Sequence, residues 1–215
     1  MTAASVSARE EMVRKGIRLS YLTIAYNVFE ALGSLIAGIL SGSVALVGFG
    51  IDSVIEVTAA GAAQWRLRSD MAPRGRENAE RITLRIVGWC FIALAIYVAV
   101  DSVKSLMGRE EPAPIAFGLV VLVLSVIVMP LLARAKRRVA VQMKSGALEA
   151  ESRQTSLCAY LSLIALVGVG LNGVIGCWWA DPVAALTMVP IITKEGIDGL
   201  RAQVCEECAP LRDWP

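Results

Sequence analysis

Long apolar stretches alternate with short polar ones along the whole chain, and six of them approach the about 20 residues that a helix needs to cross a bilayer. The first covers residues 19–40, and Ser41, Gly42 and Ser43 make a tight turn into the second, 44–65. The third is expected at 82–106, the fourth at 115–133, the fifth at 147–171 and a shorter sixth at 178–192. Pro130 is expected to break the fourth near its end, and the sixth holds Pro182 and Pro190. The pattern predicts an all-α, polytopic membrane protein with six transmembrane helices. A polar N-terminal segment, 1–18, precedes them, and a polar tail, 193–215, follows. Arg9, Glu10, Glu11, Arg14, Lys15 and Arg18 leave no apolar core for a cleavable signal, so the first span is expected to serve as its own insertion signal.

Composition agrees with the pattern. The 215 residues are 56% hydrophobic and 19% charged, with a mean hydropathy of +0.61, well outside the soluble globular range. A net charge of +2 gives no electrostatic footing for nucleic acid. The placement of charge is more telling than its sum. The N-terminal segment, the stretch 66–81 and the cluster Arg134, Lys136, Arg137 and Arg138 are basic. The turn at 41–43 and the segment 172–176 have no Lys or Arg, and 108–114 has only Arg109. Because basic loops stay cytoplasmic, both termini are expected in the cytoplasm, with the protein in the inner or plasma membrane.

Polar residues inside the spans carry the candidate chemistry. Asp52 and Glu56 stand four apart in an otherwise apolar run, so they share one helix face about 6 Å apart along the axis and can grip one ion from adjacent turns. Two acids buried in lipid are costly unless something cationic visits them, and no Lys or Arg lies between Ala45 and Ala63 to pair with them. The plainer alternative is that they pair with basic residues to hold a bundle together. In the first span Asn27 and Glu30 share a face, with Ser34 a turn further on. Asn27 alone reads equally well as a hydrogen bond between helices; Glu30 is costlier to bury and more functional in character. Gly33, Ala37, Gly38 and Gly42 form a small-residue stripe for close helix approach, which is packing rather than chemistry. On the fifth span Glu151, Gln154 and Cys158 stack along one stripe, and the pair Gln154 and Cys158 repeats the four-residue spacing of Asp52 and Glu56. Two helices that each offer such a pair can supply a four-coordinate site between them.

These residues resemble the cation diffusion facilitator family, six-span exporters of zinc and related divalent metals. The family's metal site takes two residues four apart on the second span and two on the fifth. Asp52 and Glu56 match the second-span pair, with one carboxylate lengthened. The fifth-span motif, roughly Ala-Asp-x-x-His-x-x-x-Asp, reads here Ala150, Glu151, Ser152, Arg153, Gln154, Thr155, Ser156, Leu157, Cys158, so Gln replaces His and Cys replaces Asp. Trp178, Trp179, Ala180, Asp181 and Pro182 also look like the family's start of the sixth span. The resemblance covers roughly residues 19–200 and implies alternating access, a homodimer, and exchange of the metal for protons, with Glu151 and Glu30 as nearby acids that attract or relay the ion. Typical members continue into a cytoplasmic metal-binding domain; a short form without it is expected here. In its place Cys205 and Cys208 form one CxxC spacing, a weak signal for soft-metal capture against a simply reduced tail. Cys90 and Cys177, the remaining two of the five cysteines, belong to other spans or their edges, so no disulfide framework is expected.

The chain has no histidine, so a zinc site must rest on carboxylates and the Cys158 thiolate. Oxygen-rich coordination suits Mn2+ or Fe2+ as well, with Cd2+ and Co2+ also within the donor set, and Zn2+ stays first on the resemblance. Enzymes are disfavoured: an intramembrane aspartyl protease needs Gly-x-Gly-Asp, whereas Gly48, Phe49, Gly50, Ile51 and Asp52 contain one residue too many. A non-transporting metal sensor or regulatory subunit remains an alternative, since the altered fifth-span pair can bind without turnover.

Overall fold

The computed structural model describes residues 3–68, 73–109, 111–113, 116–143 and 146–201. They form six helices: α1 (Ala3–Ser41), α2 (Val44–Arg68), α3 (Pro73–Gly108), α4 (Ala116–Met143), α5 (Gly146–Ile175) and α6 (Ala180–Leu200). The class is all-α. The first five are long and apolar enough to cross a membrane; α6 carries Asp181, Lys194, Glu195 and Asp198 within its 21 residues.

Most helices overrun the apolar stretches that announce them. α1 starts at Ala3 rather than near 19, and α4 passes through Pro130 and the basic cluster to Met143. Ala, Lys and Arg are good helix formers, so a polar flank extends a helix as readily as it forms a loop. Pro130 removes one backbone donor and leaves the Val126 carbonyl without its helical partner, a local defect that a membrane helix tolerates. The predicted break is therefore absent. Pro182 stands in the first turn of α6, where no donor is missed.

The turns follow glycine chemistry. Gly42 has φ 72°, and the Ser43 N–H donates back to the Gly38 carbonyl at 3.1 Å, so α1 ends in a left-handed glycine cap. Gly42 thus belongs to the turn and not to the small-residue stripe. Gly38 does belong to it, since a Cβ there would meet the Val47 backbone at 2.8 Å.

The burial pattern is inverted relative to a soluble bundle. Leu32, Ile36, Ile39, Ile96, Leu131 and Val167 face outward, while Ser34, Ser53, Ser102, Ser125 and Ser162 are completely buried. Small hydroxyls inside let helices approach closely, and apolar side chains outside suit lipid. α1 packs on α2 and α4, α4 on α5, and α6 on α3 and α5. The α3–α6 contact is close in backbone terms: a Cβ on Gly88 would lie 2.8 Å from the Gly196 carbonyl oxygen and 2.8 Å from the Leu200 nitrogen. Only glycine permits that approach. The apolar core is built around Phe49, Leu46, Val98, Leu122, Met129 and Met188, and holds α2 at its centre.

Candidate metal centre

The register of α2 puts Asp52 and Glu56 on its inward face, 3% and 7% exposed, and α5 brings fully buried Cys158 against them. One ligand atom from each of Asp52, Glu56 and Cys158 can be chosen so that all three lie within 4.8 Å of one another. Bound to one Zn2+ at about 2.0–2.3 Å, tetrahedral donors stand about 3.5 Å apart, so a contraction of roughly 1 Å would close the three on an ion. Asp52 Oδ2 is buried with no hydrogen-bond partner among the described residues. Unpartnered buried oxygen costs about 1–3 kcal/mol unless a cation, proton or water satisfies it.

α1 supplies the surroundings. Asn27 Nδ2 donates to Glu56 Oε2 at 2.9 Å, while its Oδ1 is buried without a partner. Glu30, completely buried, has Oε2 3.8 Å from Cys158 Sγ as hydrogen-bond acceptor, and its Oε1 is unpartnered among the described residues. Glu30 thus touches the cluster through the thiol, although its oxygens fall outside the close triad.

The other fifth-helix candidates lie toward the start of α5. Gln154 is half-buried and lines a cavity of about 30 Å³ together with Thr23, Asn27, Glu56, Ala60 and Lys136. That is room for a water or a bare ion. At its mouth Glu151, with its side chain 42% exposed, accepts from Ser20 Oγ at 2.7 Å and pairs with Lys136 Nζ at 3.3 Å. Seven residues of helix separate Glu151 from Cys158, about 10 Å along the axis, and Glu56 belongs both to the cavity and to the triad. Cys205 and Cys208 lie outside the described residues.

Lys136 is a residue that sequence reasoning placed only in a basic loop. It is 3% exposed and donates to Thr155 Oγ1 at 3.3 Å as well as pairing with Glu151. A helical projection of 134–138 would have found it, because at 100° per residue Lys136 points opposite to Arg134 and Arg138. Asp181 is a second. Completely buried at the start of α6, it accepts from Ser43 Oγ at 2.5 Å and from the Val44 N–H at 2.9 Å, while Ser43 Oγ accepts from the Leu46 N–H at 3.1 Å. Two residues from distant parts of the chain thereby cap α2, with the negative charge at the positive end of its dipole.

A multi-pass helical membrane protein whose interior gathers acids, a thiol and an amide about one small polar path belongs among the proteins that bind cations within the bilayer. The chain belongs to the cation efflux family: the family's model for its transmembrane domain matches residues 20–204. That family transports divalent metal cations. The chain is 28% identical over 196 residues to the uncharacterized transporter YdbO of Bacillus subtilis, covering 88% of this chain and 67% of that protein. It is 30% identical over 169 residues to the magnetosome protein MamB of Paramagnetospirillum magneticum, covering 76% of this chain and 57% of that protein. MamB of Magnetospirillum gryphiswaldense gives the same identity and coverage. The chain thus spans from just over half to about two thirds of the length of these relatives.

Proposed function

We propose that the chain carries a divalent metal cation, with zinc first, out of the cytoplasm by alternating access, and that Asp52, Glu56 and Cys158 hold the ion midway. The single observation that supports this most is the gathering of those three donors within 4.8 Å in a buried site. Gln154, Glu30 and Asn27 offer further donors around the triad, and Glu151 receives the ion at the mouth of the cavity. Charge balance argues for proton exchange. Asp52, Glu56 and Glu30 share one interior, where charge left unbalanced is expensive, so protons take the ion's place when it leaves. The basic N-terminal segment and Arg134 to Arg138 argue for cytoplasmic ends in an inner or plasma membrane. A homodimer is adopted on the family's precedent, and the polar segments 1–18 and 193–215 flank the transporting unit.

Export of manganese or ferrous iron is a second reading. It draws on the unpartnered oxygens Asp52 Oδ2, Glu30 Oε1 and Asn27 Oδ1, since a set rich in oxygen suits harder ions. Purified protein in vesicles loaded with a metal-sensing dye tests both at once. Zinc flux that is dissipated by a proton ionophore and lost in Asp52→Ala is the expected result. Flux of manganese or iron without zinc would favour the second reading; wild-type flux in Asp52→Ala would overturn the site, and no metal flux at all would leave a sensor or regulatory subunit.

A further inference from the structure

The five residues 134–138 divide by helical register. Lys136 turns inward, whereas Arg134, Arg137 and Arg138 are exposed on the outer face of α4, and among the described residues none of the three has a carboxylate partner. Arg134 and Arg137 are not scattered surface charges. They form the polar end of a groove of about 370 Å³ between α4 and α5, whose floor holds Ser152 and Ser156 and whose wall holds Tyr160 and Leu163. A second hollow of about 460 Å³, lined by the same two arginines with Arg138, continues it away from the bundle centre.

The groove has a physical origin in α4. Val126 and Pro130 both line it, and the missing proline N–H leaves the Val126 carbonyl as an acceptor at its apolar end. From Val126 to Arg137 is 11 residues, about 16 Å along the helix axis, which matches a phosphate headgroup and the first carbons of its chains rather than a small soluble anion. Ser156 Oγ donates to the Ser152 carbonyl at 2.9 Å, so its lone pairs remain to accept from a headgroup hydroxyl. The flanks, Ile127, Leu131 and Val141, are 55%, 57% and 67% exposed, and Tyr160 is 61% exposed. An apolar face ending in an aromatic ring and a row of cations is the profile of an inter-helical site for acidic lipid.

We infer that the α4–α5 groove is a binding site for one anionic phospholipid, with Arg134 and Arg137 on its phosphate and the wall from Val126 to Leu163 on its acyl chains. The site is separate from the cavity beside the triad, which Lys136 lines and which shares no lining residue with the groove. The lipid completes the exposed side of α5, the helix that carries Cys158 and Gln154.

The test counts lipids retained by the full chain, purified and exchanged into mixed phosphatidylglycerol and phosphatidylcholine, by mass spectrometry of the intact complex. Wild type is expected to keep phosphatidylglycerol in preference to phosphatidylcholine. Arg134→Gln with Arg137→Gln lowers that retention about tenfold or more, since each basic residue at an anionic surface is worth roughly 1 kcal/mol. Removing two other exposed charges, by Arg14→Gln with Arg18→Gln, changes it little. Leu163→Trp fills the groove without altering charge and gives the same loss, which keeps the test intact where the arginine variant fails to insert. The proposal is overturned by equal retention of the two lipids, by equal losses in the two arginine pairs, by unchanged retention in Leu163→Trp, or by displacement of the lipid with millimolar inorganic phosphate.

Discussion

At the scale of single residues the candidate site turns on a thiol where the related motif has a carboxylate. A cysteine coordinates well only as thiolate, so binding must displace the Cys158 proton, and affinity for zinc or cadmium is expected to rise with pH. Cys158→Ser should weaken cadmium and zinc binding far more than manganese binding, and Cys158→Asp should keep zinc transport and improve manganese. Isothermal titration of the purified variants decides this; unchanged zinc and cadmium affinity in Cys158→Ala would leave the thiol as packing and the ion to Asp52 and Glu56. Lys136 makes a second residue-scale prediction. Its ammonium lines the same cavity as Glu56 and opposes any arriving cation, so Lys136→Gln should raise divalent affinity several-fold at low salt. The sequence made Asp52, Glu56 and Cys158 legible because a four-residue spacing on a helix says which side chains share a face. It left Lys136 unread because a basic cluster after an apolar run reads as loop. The partners of Asp181 were beyond its reach, since nothing local joins residue 181 to residues 43 and 44.

At the scale of elements the apolar runs told which segments are helical, but not where the helices stop. Flanks such as 3–18 and 134–143 continue the backbone hydrogen bonding with no apolar periodicity to mark it. Helix contacts were less legible still: the glycine stripe of α1 was visible, whereas the Gly88–Gly196 crossing pairs glycines of two separate helices, each of which alone looks like a weak spot. That crossing predicts a contrast. Gly88→Ala forces a Cβ into backbone atoms at 2.8 Å and should lower the thermal midpoint in detergent, whereas Gly61→Ala, with nothing within 4 Å, should leave it unchanged or raise it through helix propensity of about 1 kcal/mol. Asp181→Ala should also destabilise, by about 1–3 kcal/mol, because it strands the Ser43 hydroxyl and the Val44 N–H in a buried setting. Asp181→Asn keeps an acceptor and should lose less. Equal midpoints for wild type and Asp181→Ala would remove the capping role.

At the scale of the whole molecule the two ends of the bundle differ. One end carries Ser20, Lys136 and Glu151 around the mouth of the small cavity; the other carries the turns at Gly42 and Gly176. In a background with Cys90, Cys177, Cys205 and Cys208 replaced by serine, a cysteine at Gly173 should react with an impermeant thiol reagent in intact cells, and one at Gln142 should not. The reverse result would invert the assigned orientation. Ser43, although in the turn, is only 1% exposed and bonded to Asp181, so it makes a poor reporter position.

The Asp181 contact also bears on how such a molecule changes state. It fastens the start of α2, the helix of Asp52 and Glu56, to the start of α6, and α6 is in turn locked to α3 by their glycines, so at that end α2 has a clasp. In the proposed alternating access, opening toward the clasped end would require release of the two hydrogen bonds to Asp181, at about 1.5–3 kcal/mol each. An ion in the triad can drive that release only to the extent that it binds the opened form more tightly. Turnover would then be paced by a carboxylate that never touches the metal.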